Sequence, residues 1–410
     1  MKKRFFLLRH WQEPAYLLAL LILAVLFVFI LKLSSYGEGD FFLFYQAGGL
    51  LLRGHNPYSL AAHVENVGFP YPPAALYPTL LFSLIPYGFA IPAWDLFCLF
   101  LMAGILYAWI VLIWRRQPSF PEFVALAAGA FIAPCLWAFF SHHLIVPVLA
   151  LATAAVWSAH HKKWGAAGFW TGMMLIKPHL TSLLALLLLK ESPRKGTFLA
   201  GAAAALFLSA APFLVGYRPL ADFRQAWSSL KFHSTRVYAQ DDQDVVSNLY
   251  RLLAGRKALA QLESANSRHL AIFPVDKSQV LLLNELKEGA CVLALAGWLF
   301  LLSSRHETPL VHGAALALAL GVLTSRYSHV HDGTLLVPWV LAALWRLSGK
   351  ANLIRIGSAL LVLNFALALW LPFAGEFDHV HWMRLGTYSL IYFALGILAF
   401  PPIGPPLETS

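Results

Sequence analysis

A carboxylate, an ammonium and a run of imidazoles stand where the surrounding chain is apolar, and each can do chemistry. The carboxylate is Asp40, at the head of "DFFLFYQAGGLLL" (residues 40–52). A carboxylate near its ordinary pKa can take the proton of an attacking hydroxyl as attack proceeds. Asp is also a favoured helix N-cap, and the stretch after it reads as a short interfacial helix. One group can do both. The small residues Ala47, Gly48 and Gly49 would let that helix pack closely on a neighbour and fix Asp40 over a cleft.

The ammonium is Lys177, in the "KPH" that interrupts the apolar run 165–189. A lysine in the middle of a membrane helix costs about 2.5–3.5 kcal/mol on insertion scales, so such a group lines a cavity, pairs with an anion or reaches for the interface. A lipid phosphate would suit it.

The imidazoles come in pairs. "SRYSHVHDGTLLVPW" (325–339) sets Arg326, His329, His331 and Asp332 between two apolar runs, and "DHVH" at 378–381 is a second cluster of the same kind. His-x-His-Asp could ligate a metal. With Arg326 it equally forms an anion seat, because guanidinium binds phosphate through paired donors; a solvated loop is the plain alternative. Ser141-His142-His143 and His179 add imidazoles near the same side. In "RVYAQDDQDVVSNLYRLL" (236–253) the acids read mainly as a solvated turn, with Asn248 a candidate polar contact. Tyr58 and Tyr71, in "NPYSL" and "FPYPPAALYP", are expected at the membrane interface as anchors or as walls of an acyl or sugar groove.

The elements that must position these groups are membrane helices. Of 410 residues, 59% are hydrophobic and 12% charged, and mean hydropathy is +0.65; soluble domains carry roughly 25% charged residues. After Lys2, Lys3, Arg4 and Arg9 comes "AYLLALLILAVLFVFILKL", long enough to cross a bilayer and read as an uncleaved first span. Further apolar runs lie near 73–90, 91–114, 121–140, 144–159, 165–189, 196–215, 288–303, 308–324, 333–347, 353–372 and 385–400.

The basic residues sort onto one side of these runs if the N-terminus is cytoplasmic. That requires 73–90, with Pro72, Pro73, Pro78 and Pro86, to be a steep span or an interfacial hairpin, charge parity favouring the hairpin. It also requires 165–189 to go in and come back, as a V of two helices about 18 Å long. The expected fold is all-α and polytopic, a single integral membrane domain over 1–410 with about 11–13 spans and two long outer segments, 35–72 and about 217–287. Cys98, Cys135 and Cys291 all fall in apolar runs, which fits neither a disulfide framework nor a thiolate metal site. The net charge of +10 is spread as topology signals, so nucleic acid is excluded as a partner.

In order along the chain, "GDFFLFYQAGGLLLRGHNPY", "FPYPPAALYPTLLFSLIP", "SHH", "GMMLIKPHL" and "SRYSHVHDGTLLVP" resemble glycosyltransferase family 87 from about residue 36 to 340. The resemblance implies a GT-C-type bundle that transfers a sugar, above all mannose, from a polyprenyl-phosphate donor to a lipid or glycan hydroxyl. Inversion at the outer face of a bacterial cytoplasmic membrane is implied with it. The family's acidic residue falls on Asp40 as general base and its Lys-Pro on Lys177 and Pro178. Its aromatic, His and Asp residues fall on Tyr327, His331 and Asp332. Lys177, Arg326 and His331 are then the expected phosphate ligands. Tyr58, Tyr71, His142, His143, His179, Asn248, His329 and Asp332 are the expected substrate contacts.

No cofactor or metal is required where protein cations hold a monophosphate. Two other readings stay open at this stage. One is a transporter or flippase for a lipid-linked sugar or a metal ion. The other is a metal-dependent membrane hydrolase built on His329, His331, Asp332 and His379.

Overall fold

The computed structural model describes residues 39–58, 71–130, 133–214, 277–303, 309–325 and 330–344, with Val246. Among the described residues all regular structure is helical. Helix α1 spans Gly39–Leu52. Gly39 and Asp40 are already helical, so Asp40 stands inside the first turn and not at the expected cap position.

The proline-rich stretch makes no continuous helix. It folds into a 3-10 turn Pro73–Leu76, a single α-turn Tyr77–Leu80 and a second 3-10 turn Phe82–Leu84. Each proline removes an N–H and clashes with the preceding turn, which stops the hydrogen-bond ladder from growing. Helix α1 rests on these turns: the Ser83 hydroxyl donates to the Tyr45 carbonyl at 3.0 Å and the Tyr45 hydroxyl to the Ile85 carbonyl at 2.8 Å. A Cβ at Gly48 would run into Ser83 Oγ, which accounts for one of the expected small residues, whereas Gly49 faces only the tip of Arg53.

Helix α2, Tyr87–Trp114, follows directly and begins before residue 91. Then come α3 (Phe120–Ala130), α4 (Ala133–Phe140), α5 (Ile145–His160), α6 (Trp164–Met174), α7 (Pro178–Glu191) and α8 (Lys195–Leu214). Beyond 215–276, where Val246 alone is described, are α9 (Lys277–Ser303) and α10 (Leu310–Thr324), then a 3-10 stretch Val330–Leu336 that runs on as helix to residue 344. The outer segment expected to reach about residue 287 therefore gives way to helix at Lys277. Tyr87–Trp114 and Glu285–Ser303 are long and apolar enough to cross a membrane.

The break at Lys177 is real, and its two arms take different neighbours. In α6, Gly165 approaches Thr197, Gly168 approaches Phe198 and Gly172 approaches Ala202 and Ala205. Numbers rise together on both helices, so α6 and α8 run parallel. The intervening α7 must then run the opposite way, as a V requires. Helix α7 packs on α10, where a Cβ at Gly321 would overlap the Leu180 carbonyl, and on α9, whose Trp298 Nε1 donates to the Leu183 carbonyl at 2.9 Å.

Candidate active site

The polar centre begins at the apex of the V. Lys177 is the residue before α7, and Pro178 takes the first helical position, where its missing N–H costs nothing. A cation at a helix N-terminus faces the positive end of the macrodipole. Lys177 is 4% exposed, and its ammonium donates to Asp332 Oδ1 at 2.6 Å, on a carboxylate that is fully buried. A buried ammonium thus gains a compensating charge from 155 residues away in sequence.

Asp332 is placed by the 3-10 stretch, which Thr334 fastens to α4 by donating to the Pro134 carbonyl at 3.3 Å. His331, next in line, has Nε2 at 3.7 Å from Asp332 Oδ1, and its ring stacks on that of His143 with centroids 3.7 Å apart and planes at 23°. His143 Nδ1 accepts the Ile145 amide N–H at 3.1 Å. In the neutral ring this places the proton on Nε2, which lies 3.2 Å from the Tyr71 hydroxyl. Tyr71 in turn receives the Tyr58 hydroxyl on its carbonyl at 3.0 Å and packs its ring on Phe44 of α1 at 4.7 Å. A polar chain therefore runs Lys177, Asp332, His331, His143, Tyr71, and ends against α1. Position 40 lies four residues before Phe44, on the same face of that helix.

The structure thus brings together Tyr58, Tyr71, His143, Lys177, His331 and Asp332. His179 is close in sequence but exposed on the first turn of α7. Asn248, Arg326, Tyr327, His329, His379 and His381 lie outside the described residues.

Ligand atoms of His143, His331 and Asp332 fall within 4.8 Å of one another, the one such group among the described residues. These three could hold a metal ion, with Asp332 also engaged by Lys177 through Oδ1. The His-carboxylate set expected from sequence alone had paired His331 and Asp332 with His329 and His379, and His143 was not in it.

Sequence reasoning passed over Asp95. It lies in the third turn of α2, 1% exposed, with Oδ1 at 3.0 Å from Nδ1 of His142. The signal was available, since a lone acid inside "AIPAWDLFCLFLM" breaks the same rule that drew attention to Lys177. Helix α1 meets α2 at this level, where Phe41 stacks on Trp94 with centroids 5.1 Å apart.

Two helices among the described residues, within α2 and α9, are long and apolar enough to cross a membrane, which is consistent with a membrane protein. The family model for glycosyltransferase family 87 matches residues 69–326, more than half of the chain, and the chain belongs to that family. It is a membrane glycosyltransferase, with a sugar donor and an acceptor as substrates. No curated protein and no solved structure shows significant similarity to it.

Proposed function

We propose that this glycosyltransferase moves a hexose, mannose first, from a polyprenyl-phosphate donor to a hydroxyl of a lipid or glycan, at the outer face of a bacterial cytoplasmic membrane. The bundle would be a single GT-C-type domain over 1–410 with about 11–13 spans. The observation that carries the reading is the buried chain from Lys177 to Tyr71, which ends on the helix whose first turn holds Asp40.

In this reaction the bond from the sugar's C1 to the phosphate oxygen breaks, a bond from C1 to the acceptor oxygen forms, and the acceptor proton passes to Asp40. The leaving phosphate gains negative charge as it departs. Lys177 spends one N–H on Asp332, which holds the ammonium in place and leaves two donors to meet that charge without reorganisation. His331 and Arg326 complete the phosphate seat. Tyr58, Tyr71, His143, His179, Asn248, His329 and Asp332 border the sugar and acyl path. Attack from the face opposite the phosphate inverts C1.

The test is incubation of membranes with radiolabelled polyprenyl-phosphate mannose, followed by a search for labelled lipid or glycan. Asp40→Asn is expected to lower transfer by about 10²–10⁴-fold, the range for a general base, with unfolding temperature unchanged. Transfer at the wild-type rate by that variant would remove Asp40 from the mechanism.

A further inference from the structure

Three described residues outside glycine have positive φ: Arg115, His142 and Lys162. Arg115 and Lys162 end helices with their side chains exposed. His142 ends α4 in the same manner but is 1% exposed. Its N–H reaches the Phe139 carbonyl at 3.1 Å and the N–H of His143 reaches the Ala138 carbonyl at 3.0 Å. That pair of bonds is the Schellman closure, in which the left-handed position is ordinarily glycine. An imidazole is kept there against backbone preference, and its Nδ1 bonds Asp95 on a different helix.

The next residue is His143, and its ring is fixed from three directions: the Ile145 amide, the Tyr71 hydroxyl and the His331 ring. Two of those three lie outside the turn, so the ring's position depends on where the turn is pinned. We propose that Asp95 and His142 are positioning residues. They form a buried clamp between α2 and the α4–α5 turn that sets the placement of His143 beside the donor sugar. The role of His143 rests on the glycosyl transfer proposed above; the clamp itself does not. In this proposal His142, expected from sequence as a substrate contact, acts instead through its neighbour and the backbone.

The experiment uses full-length protein in lipid nanodiscs, labelled with ¹⁵N-histidine, as wild type, Asp95→Leu, His142→Gly and His142→Asn, with His143→Gln to assign the His143 signals. Each is assayed for transfer from polyprenyl-phosphate mannose and for its imidazole spectrum. His142→Gly relaxes the left-handed backbone and removes the tether, so it separates tether from strain even where Asp95→Leu does not fold. His142→Asn tolerates the same φ and offers an amide donor to Asp95.

Asp95→Leu and His142→Gly are expected to lower kcat about 10- to 100-fold, as small misplacements near a reacting centre do. Donor KM should stay within about threefold, and His143 should leave its pattern of unprotonated Nδ1 and protonated Nε2. His142→Asn should regain a large part of the kcat lost in His142→Gly. Wild-type kcat in His142→Gly, losses confined to KM, or an unmoved His143 spectrum would each overturn the clamp. Should the wild type transfer no sugar from this donor, the proposed reaction fails. The His143 spectrum of His142→Gly then decides the clamp by itself, supporting it if shifted and refuting it if not.

Discussion

Helices α6 and α7 leave the turn at Lys177 in opposite directions and bury their surfaces with different materials. Helix α6 lies on α8 through Gly165, Gly168 and Gly172 against Phe198, Gly201 and Ala202, backbone on backbone. At the head of α7, by contrast, closure comes from an ion pair, Lys177 to Asp332, and from the imidazoles beyond it. Lipid supplies no hydrophobic drive between helices, so close approach of small residues is one of the few available sources of cohesion. It permits no extra atom. The charged contact admits changes of shape but not the loss of one partner. One arm is therefore specified by volume, and the other by charge at its head in addition to the close contact of Leu180 with Gly321, although both come from a single apolar run of the sequence.

Substitutions can break or sharpen that contrast. Removing one charge should do most: Lys177→Met leaves Asp332 buried without its cation and is expected to cost about 3–5 kcal/mol, measured by reversible unfolding in mixed micelles. The double variant Lys177→Met with Asp332→Leu should recover most of that stability while remaining inactive. A double variant as unstable as the single one would show that the charge is not what matters there.

Gly168→Ala should come next, since its Cβ would overlap the Phe198 carbonyl, and backbone cannot move aside as a side chain can. A loss of about 1–3 kcal/mol is expected, with no change in donor KM. Trp298→Phe removes the donor to the Leu183 carbonyl and should cost about 0.5–1.5 kcal/mol by the same unfolding measurement. Smallest of all is Gly297→Ala, which meets nothing within 4 Å; a change within about 0.5 kcal/mol is expected. A large loss there would mean that α9 has a neighbour at that face.

The break at Lys177 was legible because a proline and a charge inside an apolar run have only a few physical outcomes. Packing by small residues in α1 was legible too, at Gly48 although not at Gly49. The stretch 73–90 left two outcomes open, and the backbone shows short turns up to Leu84 before α2 begins at Tyr87, as Pro73, Pro78 and Pro86 favour. The start of α9 at Lys277 was not read because "KSQVLLLNELKEG" carries enough charge to read as loop, while the apolar part of the helix begins close to where the sequence places it.

Among site residues, Lys177 and Asp332 were each singled out, but not as partners, since nothing in a sequence pairs positions so far apart. Asp95 shows the reverse case. Its anomaly was visible, and its meaning appeared only once His142 came to face it. That the chain is a glycosyltransferase was read from motif order and is shown by the family match.

The pairing of Lys177 with Asp332 also has a consequence for biogenesis. Translation proceeds at roughly 5–20 residues per second, so the 155 intervening residues put the carboxylate about 10–30 s behind the lysine. During that interval the nascent chain holds the Lys177 cation without this partner, and a turn between two short helices leaves that ammonium freer to reach water than the middle of one straight helix would.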